Sequence, residues 1–230
     1  MATPIRILCF GASITAGWNQ LGLRYYPYAS TLEARLKEAF PNAHFNIQVD
    51  GLPGDTVIQG QYTKRLHSLM SSATTTYDWI IMQGGGNDLA SCREPEEIFN
   101  ALKEVWSIAF AAGSKVVALT VTNTVGESEG LARRYNALNR LIVGGEHEKL
   151  YSVDVASMLP PATMENVTMG KIYDRDGVHL GRKGYEMMGD VIASSLVEMI
   201  RAERHGKDTG DSIDHKLTHH FNASKLWDDA

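Results

Sequence analysis

Cysteine is scarce in this sequence: Cys9 and Cys92 are the only two among 230 residues. Two cysteines cannot build the framework of several disulfides that stabilises small secreted domains. Cys9 lies inside an apolar stretch, where a thiol usually serves as a small core residue. We therefore expect the fold to depend on a hydrophobic core rather than on covalent cross-links.

Long apolar runs are also missing, and no stretch reaches the roughly 20 residues that a membrane-spanning helix needs. The first ten residues make a poor signal peptide, because Pro4 and Arg6 interrupt the apolar part and no small-residue cleavage site is evident. These absences predict a cytoplasmic protein without a membrane span.

An excess of basic residues is absent as well. The chain has 22 basic and 27 acidic side chains, which gives a net charge of −5. A protein that binds nucleic acid usually carries a clustered basic face, and the sequence has no such cluster. We therefore expect no nucleic-acid partner.

Apolar runs of strand length alternate along the chain with amphipathic segments of helix length. The predicted strands are Ile5–Phe10, Phe45–Val49, Trp79–Gln83, Val116–Val121 and Leu150–Val153. The predicted helices are Tyr28–Phe40, Thr56–Ser71, Pro95–Ala112, Glu129–Glu146 and Gly184–Arg204. Most of the strands are continuously apolar, which is typical of strands covered on both faces.

This alternation predicts one α/β domain with three layers, α/β/α. Its sheet would be doubly wound, flavodoxin-like, parallel and mainly five-stranded. We assign residues 1–205 to this domain and residues 206–230, which are polar, to a C-terminal arm. In such a fold, ligands bind beyond the carboxyl ends of the strands.

Three short motifs follow predicted strands, and each allows a structural or a chemical interpretation. Ser13, between Gly11 and Gly17, is either a helix N-cap or an exposed nucleophile. Asn87, after three glycines, either caps the next helix or offers an amide donor. Taken singly, these two motifs leave both interpretations open.

The third motif ends in His179. Asp176 lies three residues earlier and can accept the Nδ1 proton of the imidazole, which leaves Nε2 free as a base. The alternative is an ordinary surface turn. Because the carboxyl ends of parallel strands meet at one edge of the sheet, the three motifs together supply a nucleophile, an oriented base and an amide donor for acyl transfer.

In four blocks the sequence resembles the SGNH (GDSL) hydrolase superfamily, and the blocks occur in the family's order. The matching segments are Gly11-Ala12-Ser13, Asp50-Gly51-Leu52-Pro53-Gly54-Asp55-Thr56, Gly85-Gly86-Asn87-Asp88 and Asp176-Gly177-Val178-His179. Residues 6–13 also resemble the opening of the aryl-esterase and acyltransferase branch of that superfamily. One block alone is a weak signal, whereas four in order are a strong one.

The resemblance implies a serine esterase that cleaves small carboxylic esters without a metal or another cofactor. It implies Ser13 as the nucleophile, His179 as the base and Asp176 as the residue that orients His179. The implied oxyanion hole consists of the backbone N–H groups of Ser13 and Gly54, with Gly51 as the alternative to Gly54, and the side-chain amide of Asn87. Asp174 is a less favourably spaced rival of Asp176, and Asp88 is expected to brace its loop.

One position departs from the family pattern. Ala12 stands where the family usually has Asp. That aspartate is not the nucleophile, the base or an oxyanion donor. We therefore expect its absence to change the support of the Ser13 loop rather than to remove catalysis.

Residues on the same edge of the sheet are candidates for the walls of the substrate pocket. We assign Trp18, Leu89 and Val178 to substrate binding, and Tyr25, Tyr26 and Thr122–Glu127 are further candidates. Ordinary packing is the alternative for each of them.

Several other functions remain open at this point. A deacetylase, a lysophospholipase-type hydrolase or an acyltransferase could use the same site. A non-catalytic binding module would be expected to have lost part of the set formed by Ser13, Asn87, Asp176 and His179. A metal-dependent phosphoesterase would need several convergent Asp and His ligands, which the first and third predicted strands do not supply before Asp88.

Overall fold

The structure, a computed structural model, describes residues 3–71, 76–159 and 171–209. The strands in these residues are β1 (Ile5–Gly11), β2 (Trp18–Asn19), β3 (Arg24–Tyr25), β4 (Phe45–Gly51), β5 (Trp79–Gln83), β6 (Lys115–Leu119) and β7 (Leu150–Val153). The helices are α1 (Ser13–Ala16), α2 (Ala29–Ala39), α3 (Tyr62–Ser71), α4 (Gly86–Ala90), α5 (Pro95–Ala111), α6 (Glu129–Val143), α7 (Val155–Met158) and α8 (Arg182–Thr209).

Five strands form one parallel sheet in the order β4-β1-β5-β6-β7. The chain runs from β1 outward to β4 and then crosses back over β1 to β5. The winding direction therefore reverses between β1 and β5, and this is where a doubly wound sheet leaves a crevice at its carboxyl edge. The predicted flavodoxin-like α/β fold is confirmed.

Apolar side chains fill the space on both faces of the sheet. Ile7 and Cys9 of β1 point to one face, where α2 and α8 cover them. Leu8 and Phe10 point to the other face, which α3, α5 and α6 cover. This arrangement explains why β1 is apolar at successive positions, since both of its faces are buried.

The second predicted helix is wrong in its first turn and a half. It begins at Tyr62 rather than at Thr56. Two carboxylates bind the backbone of the intervening loop: Asp88 accepts the N–H groups of Val57 and Ile58, and Asp55 accepts that of Gln61. These N–H groups therefore bond to side chains, and not to the carbonyls of a helix.

The last helix is longer than predicted, because α8 continues to Thr209. The polar arm that we expected from residue 206 therefore begins as helix, and residues 210–230 of that arm lie outside the described residues. Within the part of the chain that the structure describes, no helix combines the length and the apolar character needed to cross a membrane.

Candidate active site

The Ser13 turn connects β1 directly to the four-residue helix α1. The Ala12 carbonyl accepts the N–H of Ala16, and Gly17 ends the helix in the left-handed region at φ 78°. The turn is tight, because a Cβ on Gly11 would lie 2.2 Å from the Oγ1 of Thr15. Ser13 is largely buried at 9% exposure, and it begins the helix rather than capping it.

A continuous hydrogen-bonded chain joins Ser13, His179 and Asp176. The Oγ of Ser13 lies 2.8 Å from Nε2 of His179, and Nδ1 of His179 lies 2.6 Å from Oδ2 of Asp176. An ionised carboxylate can only accept, so Nδ1 donates to it, and Nε2 of the neutral ring is left to accept the hydroxyl proton. This is the geometry of a nucleophile with an oriented base.

Asp176 is held by its own loop. Its Oδ1 accepts the backbone N–H groups of Val178 and His179, both at 2.9 Å. Burial by itself would raise the pKa of the Asp176 carboxyl, but the hydrogen bonds from the His179 ring and from these two N–H groups outweigh burial and lower it. The Asp176 carboxyl is therefore ionised at neutral pH.

The rival carboxylate, Asp174, has other partners. Its Oδ2 accepts the backbone N–H of Gln20 at 2.5 Å, and its Oδ1 accepts that of Arg175. The N–H of Asp174 donates to the carbonyl of His179, and this bond closes the loop 174–179. The structure thus brings Asp176, and not Asp174, to the imidazole.

Gly54 lies in the turn after β4, with φ at 80°. The N–H of Asp55 closes this turn by donating to the carbonyl of Leu52. A Cβ on Gly54 would meet nothing within 4 Å, so the backbone conformation, not a lack of space, is what favours glycine here. The alternative, Gly51, instead ends β4, where a Cβ would lie 2.4 Å from the N of Ala16.

Asn87 follows the turn after β5 and is the second residue of the short helix α4. Its Nδ2 donates to the backbone carbonyl of Asp55 at 2.8 Å. The next residue, Asp88, is buried and binds the loop after Gly54 through the N–H groups of Val57 and Ile58. The expectation that Asp88 braces a loop agrees with these contacts, although the loop is the one that follows β4.

A cleft of about 190 Å³ opens at this edge of the sheet. Val178 is among its walls, together with Ser13, Asp55, Asn87 and the residues Ala12, Ile14, Gln83, Gly84, Gly85, Gly86, Ala90, Val121, Thr122, Thr124, Leu131 and Tyr135. Its surface is mainly apolar. Among the described residues, no group of three or more His, Cys, Asp or Glu side chains is placed to hold a metal ion.

The other two expected pocket residues lie elsewhere. Trp18 is not among the cleft walls, and its ring centroid is 6.0 Å from that of His179. Leu89 is 1% exposed and packs in the core beneath the sheet. The walls that sequence reasoning missed include Leu131 and Tyr135, which have helical spacing and are indistinguishable in sequence from core positions.

Comparison with known proteins assigns the chain to a family. A profile of the GDSL-like lipase/acylhydrolase family matches residues 9–187. No curated protein sequence matches the chain. All of the solved structures named next are below 25% identity, so they support the fold only.

A family 3 carbohydrate esterase from Clostridium thermocellum superposes with a TM-score of 0.66 at 16% identity, over 87% of this chain and 99% of that one. A member of the lipolytic G-D-S-L family from Veillonella parvula gives 0.64 at 21%, over 83% and 97%. A variant of Axe2, an acetyl-xylooligosaccharide esterase from Geobacillus, gives 0.65 at 15%, over 84% and 94%. Since the family profile covers well over half of the chain, this protein belongs to the GDSL-like lipase/acylhydrolase family and is a hydrolase of that type.

Proposed function

We propose that this hydrolase is a serine esterase that cleaves small carboxylic esters through an acyl-enzyme formed on Ser13. The observation that carries the proposal is the unbroken chain from the Oγ of Ser13 through both nitrogens of His179 to the carboxylate of Asp176. A serine that only capped a helix would need no imidazole at 2.8 Å.

In the first half of the reaction, the Oγ of Ser13 attacks the ester carbonyl carbon while its proton passes to Nε2 of His179. The tetrahedral intermediate then collapses, and the leaving alkoxide takes that proton from His179. Asp176 stabilises the imidazolium that forms in between. In the second half, His179 removes a proton from water, the hydroxide attacks the acyl carbon, and the carboxylic acid leaves as Ser13 regains its proton.

The negative charge that develops on the carbonyl oxygen needs donors. The candidates are the backbone N–H groups of Ser13 and Gly54 and the Nδ2 of Asn87. Support for this set comes from the turn geometry of Gly54 and from the position of Asn87 on the cleft wall. Donors fixed in advance in this way stabilise the transition state without reorganising during the reaction.

The size of the cleft favours a short acyl chain or a single aromatic ring. A volume of about 190 Å³ is below the roughly 300–1,000 Å³ that is typical of sites for drug-sized ligands. Ala90, Val121 and Leu131 contribute apolar surface, which suits a hydrocarbon group.

The test is a series of p-nitrophenyl esters from acetate to long acyl chains, with wild type and Ser13→Ala compared at equal concentration. We expect turnover by wild type with short esters and a loss on the order of 10⁶-fold for Ser13→Ala and for His179→Ala. A fluorophosphonate should label wild type at Ser13 and leave Ser13→Ala unlabelled. Absence of turnover across the series together with absence of labelling would rule out the esterase.

A further inference from the structure

Arg65, in the first turn of α3, contacts the two segments that carry Ser13 and Gly54. Its guanidinium donates to the carbonyl of Gly11 at 3.2 Å and to the carbonyl of Asp50 at 2.8 Å. It also donates to the carboxylate of Asp50 through two nitrogens and to Oδ2 of Asp55 at 2.6 Å. The Arg65 side chain is 16% exposed and that of Asp55 is 2% exposed, so this network is largely shielded from solvent.

Each acceptor of Arg65 belongs to a segment that carries a proposed oxyanion donor. Gly11 ends β1, two residues before Ser13. Asp55 directly follows Gly54, and the carbonyl of Asp55 in turn accepts Nδ2 of Asn87 at 2.8 Å. One side chain therefore contacts the segments that carry Ser13 and Gly54, and it is linked to Asn87 through Asp55.

The Asp55 carboxylate also binds the backbone of its own loop. Oδ2 of Asp55 accepts Arg65, while Oδ1 accepts the N–H groups of Thr56 and Gln61. Gly60 makes room for that carboxylate, because a Cβ at position 60 would lie 2.1 Å from Oδ1. The loop that follows Gly54 is thus arranged around the carboxylate that Arg65 binds.

The alanine at position 12 makes the contacts of Arg65 important for the Ser13 loop. No side chain caps the start of α1, and alanine has no polar atom to offer the neighbouring loops. The end of β1 is instead held by Arg65. Its guanidinium donates to the Gly11 carbonyl and stacks on the ring of Phe10, 4.6 Å from the ring centroid.

We propose that Arg65 is a positioning residue for the oxyanion hole and that, through Gly11, Asp50 and Asp55, it supplies the support of the Ser13 loop that Ala12 cannot. This inference rests on the proposed esterase function. The planar guanidinium suits the task because its five N–H groups diverge in a fixed plane, and the ammonium of lysine has no such arrangement.

The test compares Arg65→Met and Arg65→Lys with Lys115→Met. Lys115 is a matched control because it also makes a partly buried ion pair, with Glu203, but at the amino edge of the sheet. Folding is checked by circular dichroism, and active sites are counted by fluorophosphonate labelling of Ser13. Steady-state kinetics on p-nitrophenyl acetate then give kcat and KM per labelled site.

We expect Arg65→Met to lower kcat by about 100-fold with KM changed less than about threefold, because misplacing reacting groups by about 1 Å costs that much. Arg65→Lys should fall between wild type and Arg65→Met, and Lys115→Met should match wild type. In an Asn87→Ala background, Arg65→Met should lower kcat by about tenfold or less, since the two changes act on the same donors.

Three outcomes would overturn the proposal. The first is folded Arg65→Met with kcat within about threefold of wild type, and the second is a loss of kcat in Lys115→Met equal to that in Arg65→Met. The third is a loss of kcat in the Arg65→Met, Asn87→Ala double variant equal to the product of the two single losses. If Arg65→Met does not fold, folded Arg65→Lys provides the test. A kcat equal to that of wild type in Arg65→Lys would then reject Arg65 as a positioning residue. Failure of the esterase function is distinguishable, because wild type itself would then show neither turnover nor labelling.

Discussion

The side-chain amide of Asn87 donates to the backbone carbonyl of Asp55 across 2.8 Å, although 32 residues separate the two in sequence. This bond joins the turn after β5 to the turn after β4. A primary amide nitrogen carries two hydrogens, and among the residues that the structure describes only one of them has an acceptor. Under the proposed function, the other hydrogen bonds a substrate oxygen in the cleft that Asn87 helps to line.

Replacing Asn87 by alanine should remove this donor. We expect kcat on p-nitrophenyl acetate to fall by about 10²–10³-fold, which is the usual cost of losing one oxyanion donor. Active sites counted by fluorophosphonate labelling supply the normalisation. A value of kcat within about threefold of wild type would show that Asn87 does not contact the developing charge.

Two carboxylates in one loop provide a matched pair. Asp176→Asn should lower kcat by about 10⁴-fold, because an amide in place of the carboxylate no longer orients the required tautomer of His179. Asp174→Asn retains an oxygen for the N–H of Gln20 and should stay within about threefold of wild type. The comparison needs only steady-state kinetics at pH 8, and similar losses in both variants would contradict the assignment.

Ala90 borders the cleft at the end of α4. A phenylalanine there should occupy space that a longer acyl chain needs, so we expect kcat/KM for p-nitrophenyl hexanoate to fall more than tenfold relative to the acetate. Ala112→Phe, at the exposed end of α5, adds the same ring far from the cleft and should leave that ratio unchanged. An unchanged ratio in Ala90→Phe would place the acyl group elsewhere.

Asp88 is buried and accepts two backbone N–H groups, those of Val57 and Ile58. Asp88→Ala leaves both without a partner, and we expect the free energy of unfolding in urea to decrease by about 2–4 kcal/mol. Asp78, which is exposed and accepts the backbone N–H of Arg6, is the control. Asp78→Ala should cost less than about 1 kcal/mol, and equal costs would show that burial of the Asp88 bonds has no effect.

The two cysteines should differ sharply in reactivity. Burial raises the pKa of the Cys9 thiol to about 12, because its effect is larger than that of the hydrogen bond with Tyr28, which lowers the pKa. Cys92, in contrast, is exposed. Because the thiolate is the reactive form, iodoacetamide at pH 8 should modify Cys92 and spare Cys9 in the folded protein. Peptide mass spectrometry reads out both sites, and denatured protein, modified at both, is the control.

The alternation of apolar runs and amphipathic segments predicted the fold because it reflects burial directly. β1 is apolar at successive positions since α2 and α8 cover one face and α3, α5 and α6 cover the other. The segment Thr56–Gln61 was misassigned for a reason that local pattern does not contain. Its N–H groups bind carboxylates from Asp55 and Asp88, and the second of these comes from 30 residues away.

The pocket walls show the same division. Leu89 follows Asn87 closely in sequence but lies in the core, while Leu131 comes from α6 and borders the cleft. Sequence neighbours in a helix point in different directions, so proximity along the chain does not predict which side chain reaches a cavity.

By itself, the sequence determined the fold class and the identity of the residues around Ser13, because burial periodicity and short spacings such as that from Asp176 to His179 are local properties. Tertiary structure alone decided which residues line the cleft and which side chain reaches the carbonyl of Gly11. Those relationships join segments far apart in sequence, such as Arg65 with Gly11, 54 residues away. They depend on how strands and helices pack, and no local pattern records that.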